Sequence, residues 1–180
     1  MTTARHPPHS SAKASLLARY ALVLVAASGS VGCAGHHHQG AGREDPLVAV
    51  ARAHGESGPW AVAGYRMGKF ALTKLGIAPY SVDLEVTHRS PRAFRYTCIA
   101  DGASAATGAS VGKMNLAIEE ATPEAVETVY RRRSTGQLII LRPSPSFAQR
   151  FAVVAKDQAA VLGRVVLGLR DDEIFTVVNR

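Results

Sequence analysis

Acidic residues are absent from the start of this 180-residue chain; the first is Glu44. The same stretch carries Arg5, Lys13 and Arg19 and then a short apolar run, Ala21 to Ala27. A helix that crosses a bilayer needs about 20 apolar residues, so this run is too short to be a membrane span. A basic start, a short apolar core and the small residues Ser28-Gly29-Ser30-Val31-Gly32 make a secretory signal. Cys33 follows directly, and a cysteine at the first position after the cut predicts lipid modification of the bacterial lipoprotein kind. Ser30 stands where such signals usually carry Leu or Val. The expectation is a signal segment over residues 1–32 and an acylated Cys33. The exported protein would then be tethered to a bacterial membrane and face the periplasm.

Cysteine is scarce, with two in the chain. Once Cys33 is acylated, Cys98 has no partner, which excludes an intramolecular disulfide and leaves the core to hold the domain. Cys98 then reads as a small buried hydrophobe or as a thiol that is chemically used. Aromatic residues are also few, at 6%. Of 21 basic and 14 acidic residues, three basic and no acidic ones lie in 1–32, which leaves a modest excess of +4. A nucleic-acid binder needs a basic stripe interleaved with aromatics. The one dense cluster, Arg131-Arg132-Arg133, reads as an exposed strand end, so no nucleic-acid partner is expected.

What is present organises the remainder. Residues 33–46 are Gly-rich and polar, a flexible tether, and His36, His37 and His38 within it read as incidental rather than as a metal site. The folded domain is expected over 47–180. Residues 47–54 predict a short helix, and His54-Gly55-Glu56-Ser57-Gly58-Pro59 a break. Residues 60–75 predict a second helix, ended by Gly76 and Pro79. Gly64 and Gly68 lie one turn apart on it, each costing about 1 kcal/mol relative to Ala; a backbone or a ligand passing close by would justify that. Val82, Leu84 and Val86 alternate with polar residues as a strand. Phe94, Tyr96 and Cys98 alternate again and predict a second, antiparallel strand after the Ser90-Pro91-Arg92 turn. Residues 101–109 read as a helix with Asp101 as its N-cap. Strands are expected at 115–118, 126–130, 138–141 and 174–178, with Thr135-Gly136 as a turn and a helix over 156–169. The fold class is therefore α+β: a mixed or antiparallel sheet packed with helices in a single domain.

Gly108-Ala109-Ser110-Val111-Gly112-Lys113-Met114 has the look of a phosphate loop. It has one residue too few between its glycines, and Met114 stands where the magnesium-binding hydroxyl is needed. Nucleotide binding by that route is excluded.

The same segments form another pattern, in order. It comprises His54-Gly55, Gly64-Tyr65-Arg66-Met67-Gly68, Leu75-Gly76 and Leu84-Glu85-Val86. Then come Cys98-x-x-Asp101, Thr107-Gly108, Gly112-Lys113-x-Asn115-Leu116 and Tyr130 to Gly136. This resembles the FmdE family, named after the E polypeptide of formylmethanofuran dehydrogenase, over about residues 47–142. The resemblance implies an α+β domain with a metal site, often zinc. Such a site draws on a His-Gly-His-x-Cys-Pro-Gly motif and a later Thr-Gly-Cys-Thr motif, whose His and Cys side chains suit a borderline metal. Here the second His is Glu56, the first Cys is Gly58 and the later Cys is Ala109, and no cysteine-rich module follows the domain. His54, Glu56, Cys98 and Asp101 remain as candidate donors for a divalent ion. Alternatively the cleft is kept without its metal, with His54 capping a helix or turn, Cys98 in the core and Asp101 an N-cap.

Arg66, Lys113 and Asn115 sit among glycines and, with Gly108 and Gly112, are candidates for a small-anion pocket. The alternative for Arg66 is that it ties down the loop after the helix through carbonyls. The functional expectation is an exported binding or accessory module for a metal or small anion. A metal-dependent enzyme using His54 or Glu56 as base, or a structural lipoprotein with a degenerate pocket, stand as alternatives. The sequence leaves oligomeric state open, a dimer included.

Overall fold

Proline and glycine punctuate the N-terminal half. The computed structural model describes residues 44–179. Helix α1, Pro46–His54, opens with Pro46 in its first turn, where a missing N–H costs nothing. Its N-cap is Asp45, whose Oδ1 accepts from the Leu47 N–H at 2.9 Å. Helix α2, Pro59–Leu75, opens on Pro59 and ends at Gly76 with φ 62°. Strand β1, Leu84–Ser90, buries every second residue. Helix α3, Phe94–Thr107, ends at Gly108. A short 3₁₀ turn, Val111–Lys113, leads into β2, Leu116–Glu120. Strands β3, Glu127–Arg132, and β4, Leu138–Pro143, follow. Helices α4, Pro145–Arg150, α5, Ala159–Gly168, and α6, Asp171–Ile174, precede the last strand, β5, Phe175–Val178.

The sheet order is β2-β1-β3-β4-β5. Strands β1 and β2 run parallel, with α3 as the crossover between them; the other pairs are antiparallel. The mixed sheet packed with helices is the α+β domain that the sequence predicts. Its core joins Leu84 and Val86 of β1, Tyr130 of β3 and Leu141 of β4 to Met67, Ala71 and Leu75 of α2 and Ile99 and Ala103 of α3. Arg131 and Arg132 end β3 and Arg133 follows it; Glu85 and Asp83 pair with them.

One segment departs from expectation. Residues 94–98 are the start of α3, not a strand, so the predicted hairpin with β1 does not exist. Five residues are too few to separate a two-residue period from one edge of a helical stripe. The burial of Tyr96, Ile99, Ala103 and Ala106 follows helical spacing, while Phe94 is 78% exposed. Asp101 therefore lies inside α3, and Ala93 occupies the N-cap.

The helical glycines are explained by a neighbouring backbone. A Cβ on Gly64 would overlap the Ile99 carbonyl, one on Gly102 would overlap the Ala61 carbonyl, and one on Gly68 would crowd Ala106. Helices α2 and α3 thus meet backbone to backbone, and the dispersion gained in that close approach offsets the helix-propensity cost of the glycines.

Candidate functional site

Toward their N-terminal ends α2 and α3 border a cleft of about 830 Å³. Its walls are Pro59, Trp60 and Ala61 from α2 and Phe94, Arg95, Tyr96 and Cys98 from α3. Phe151 to Val154, which follow α4, close another side, while His54, Glu56, Gly58, Ala93, Lys156 and Ala159 complete the lining. Trp60 anchors the roof: its Nε1 donates to the Phe151 carbonyl at 2.9 Å, and its ring meets Tyr96 and Phe147 edge to face. Arg95 lies over the Tyr96 ring and donates to the Ala152 carbonyl. The turn between α1 and α2 is held in place from α5, where Gly163 leaves room only for the Ser57 carbonyl.

His54 is the last residue of α1. Its Nδ1 lies 2.8 Å from Asp101 Oδ2. Only 9% of the imidazole side chain is exposed, against 49% of the Asp101 side chain. The hydrogen bond with Asp101, and then that with Cys98, push the His54 pKa up to about 10 against the effect of burial. A cation at a helix C-terminus is also favoured by the helix dipole. His54 is therefore an imidazolium at neutral pH. The Cys98 Sγ donates to the Phe94 carbonyl, one turn back on α3, at 2.9 Å. Cys98 and Asp101 are three residues apart, so they share one face of α3, and His54 lies against both.

His54, Cys98 and Asp101 are thus brought together, and Glu56 and Gly58 line the same cleft. Gly58 leaves space where the resemblance expects a ligand. Ala109, the other such position, is packed in the core and does not line the cleft. Among the described residues no group of three His, Cys, Asp or Glu side chains is placed to hold a metal ion. The His54 Nδ1 is committed to Asp101 and the Cys98 thiol to a backbone carbonyl, so the donors present do not fit a zinc site. Cys33 and the His36–His38 tract lie outside the described residues.

The other candidates lie elsewhere. Arg66 donates to the carbonyls of Val166, Leu167 and Leu169 and to Asp171 Oδ1 at 2.7 Å, which ties down the end of α5. The buried Asn115 accepts from the Ser110 N–H at 3.0 Å and donates to the Leu84 carbonyl at 3.1 Å. Lys113 Nζ donates to the Gly108 carbonyl at 2.8 Å and stands 5.3 Å from the centre of the Tyr80 ring. That ring covers Gly108, whose φ is 72°, and leaves no room for a side chain there; Gly112 faces open space. None of these five residues lines the cleft. Sequence reasoning missed its aromatic walls, Trp60, Tyr96 and Phe151. The signal available was the density of aromatics around 94–96 and the apolar Phe-Ala-Val-Val run at 151–154, which is too short for a core helix.

A family model described as FmdE, molybdenum formylmethanofuran dehydrogenase operon, matches residues 53–175. The chain belongs to this FmdE family, whose domains are metal-associated accessory modules, zinc being the general association. A comparison with curated proteins gives no match.

Proposed function

We propose that this protein is an exported, lipid-tethered accessory module that binds a compact, largely apolar molecule carrying an anionic group. The observation that carries the reading is the cleft itself. Its volume of about 830 Å³ falls in the range of small-molecule sites, roughly 300–1,000 Å³ with mostly apolar walls and a few placed polar groups. The apolar walls are Trp60, Phe94, Tyr96, Phe151, Val153 and Val154; the cationic groups are His54, Arg95 and Lys156, against the single carboxylate of Glu56. Asp101 balances His54 from outside that lining. Export and the anchor rest on the basic start, the short apolar run and Cys33.

Trp60 is the chain's one tryptophan, so its fluorescence reports on the cleft alone. Titration with naphthoate should change its emission saturably, and the matching naphthylmethylamine should not. An equal response to both, or no saturable response, sinks the reading. A stoichiometric response to zinc reversed by a chelator would restore a metal site in its place. For the anchor, Cys33→Ser should release the protein from membranes. Retention after a high-salt wash would place the anchor elsewhere.

A further inference from the structure

Two turns meet beyond the C-terminal end of α3: residues 76–83, between α2 and β1, and residues 108–115, between α3 and β2. Tyr80 joins them, because its N–H donates to the Thr107 carbonyl at 2.7 Å and its ring lies on Gly108. Arg133 holds both, donating to the Met114 carbonyl at 3.0 Å and to the Val82 carbonyl at 3.4 Å. The Val111 carbonyl accepts from the Met114 N–H at 2.9 Å. The side chains gathered by these contacts, Tyr80, Val82, Val111 and Met114, are between 66% and 85% exposed. Single exposed apolar residues are ordinary, whereas a gathered set rimmed by polar groups marks an interaction surface. Tyr80 and Met114 are also the two non-glycine residues with positive φ among the described residues, at 66° and 52°. That conformation is unfavourable for a side chain and persists only where the surroundings impose it. Neither side chain joins the core. The charge at the rim is positive. Lys113 stands beside the Tyr80 ring, and the neighbouring carboxylates, Asp83 and Glu85, are held by Arg132 and Arg131, each at 2.9 Å, with Arg133 3.8 Å from Glu85.

We propose that these two turns are a contact surface for an anionic lipid bilayer, with the four apolar side chains entering the interface and Lys113 and Arg133 meeting the headgroup phosphates. Apolar side chains beside cations are the combination that binds such an interface. The nearness of a bilayer rests on the reading of Cys33 as the anchor. The 11 residues from Cys33 to Glu44 reach at most about 40 Å when extended, so the domain stays within touch of the membrane. A second, weak contact is then enough to orient it, because the anchor makes the encounter intramolecular. The orientation has a consequence for the cleft, which borders the other end of α3. That helix has 14 residues, about 21 Å at 1.5 Å each. With the turns on the bilayer, the cleft stands clear of it.

The test uses the chain from residue 33 with Cys33→Ser, which keeps every described residue and has no anchor. It is sedimented with vesicles at millimolar lipid, either phosphatidylglycerol and phosphatidylcholine in equal parts or phosphatidylcholine alone. Partition should be at least about tenfold stronger on the anionic vesicles, as for two cations near a charged surface, and should fall at high salt. Val82→Ser combined with Met114→Gly should weaken it about tenfold or more, the factor that burial of one such side chain represents. Glycine accepts positive φ freely, so Met114→Gly alone should keep its urea midpoint while binding falls. Lys113→Gln should weaken binding about fivefold, on the anionic vesicles only. Absence of binding to anionic vesicles overturns the proposal, and so does binding that the folded double variant retains. Self-association that the double variant abolishes, with no vesicle binding, assigns the surface to a second copy instead. Because this chain lacks the anchor, its failure to bind leaves the Cys33 reading standing, and failure of the Cys33→Ser release test leaves this contact standing.

Discussion

The two ends of α3 spend their polar side chains differently. At the C-terminal end every such group serves the backbone. Ser104 Oγ donates to the Ala109 carbonyl at 2.6 Å and Thr107 Oγ1 to the Ala103 carbonyl at 2.7 Å. Asn115 and Lys113 complete the loop in the same way. Toward the N-terminal end Thr97 and Cys98 also donate to a backbone carbonyl, that of Phe94, but Cys98 lines the cleft as well, and Asp101, from outside that lining, holds the His54 imidazole. A buried backbone group left without a partner is costly, so a glycine-rich turn consumes nearby donors and acceptors. Polar residues in such a turn are therefore poor guides to a ligand site. Those standing beside a space with apolar walls are better ones.

The comparison can be broken by substitution. The largest effect is expected where the two helices touch. Gly102→Leu drives a side chain into the Ala61 carbonyl. It should cost about 3 kcal/mol or more, the upper end of overpacking, seen as a large fall in the urea midpoint. A loss below about 1 kcal/mol, the lower end of that range, would mean that the helices can part easily. Next, Asn115→Ala strands the Ser110 N–H and the Leu84 carbonyl. A loss of about 1–3 kcal/mol is expected for buried groups left unsatisfied. Trp60 emission should stay unchanged; a change would tie the loop to the cleft.

Two histidines sharpen the contrast through pH. His54 has its pKa raised to about 10, chiefly by Asp101, so its contribution is complete below the unfolded value near 6.5 and is lost as pH climbs toward 10. His88 is the opposite case. It is fully buried on β1, its Nε2 donates to the Tyr96 carbonyl at 3.0 Å, and its Nδ1 lies 2.9 Å from the Thr128 hydroxyl. Burial lowers its pKa to about 4. The unfolded chain binds that proton more readily, so stability should fall as pH drops from about 6.5 toward 4. Urea titrations across pH should show both slopes, and Asp101→Asn should flatten only the alkaline one. The smallest effect is expected for Lys113→Ala, within about 0.5 kcal/mol as for most surface substitutions, with the cleft unaffected.

Much of the fold was legible because its signals are local. Pro46, Pro59 and Gly76 mark the first two helices, and alternation marks β1 and the strands from 116 onward. The start of α3 was not, because Phe94, Tyr96 and Cys98 satisfy a strand pattern, and only the stripe through Ile99, Ala103 and Ala106 shows the helix. The cluster at His54 was legible as a set of residue types at set spacings. Its geometry was not: the place of Asp101 inside a helix, rather than at its start, is what turns its carboxylate toward the imidazole. The aromatic walls join residues 60, 96 and 151, which no local period connects.

Arg66 sets an order of events during synthesis. Its side chain is largely buried, 20% exposed, and its partners are the carbonyls of Val166, Leu167 and Leu169 and the carboxylate of Asp171, up to 105 positions later. Chains grow at about 5–20 residues per second, so Arg66 waits on the order of 5–20 s for its last partner to be made. Throughout that interval α2 carries an unpaired cation that the finished domain encloses, and β5 has yet to join the sheet. A chain cut short before Asp171 would be left with that charge unanswered, a plain chemical mark of an unfinished protein.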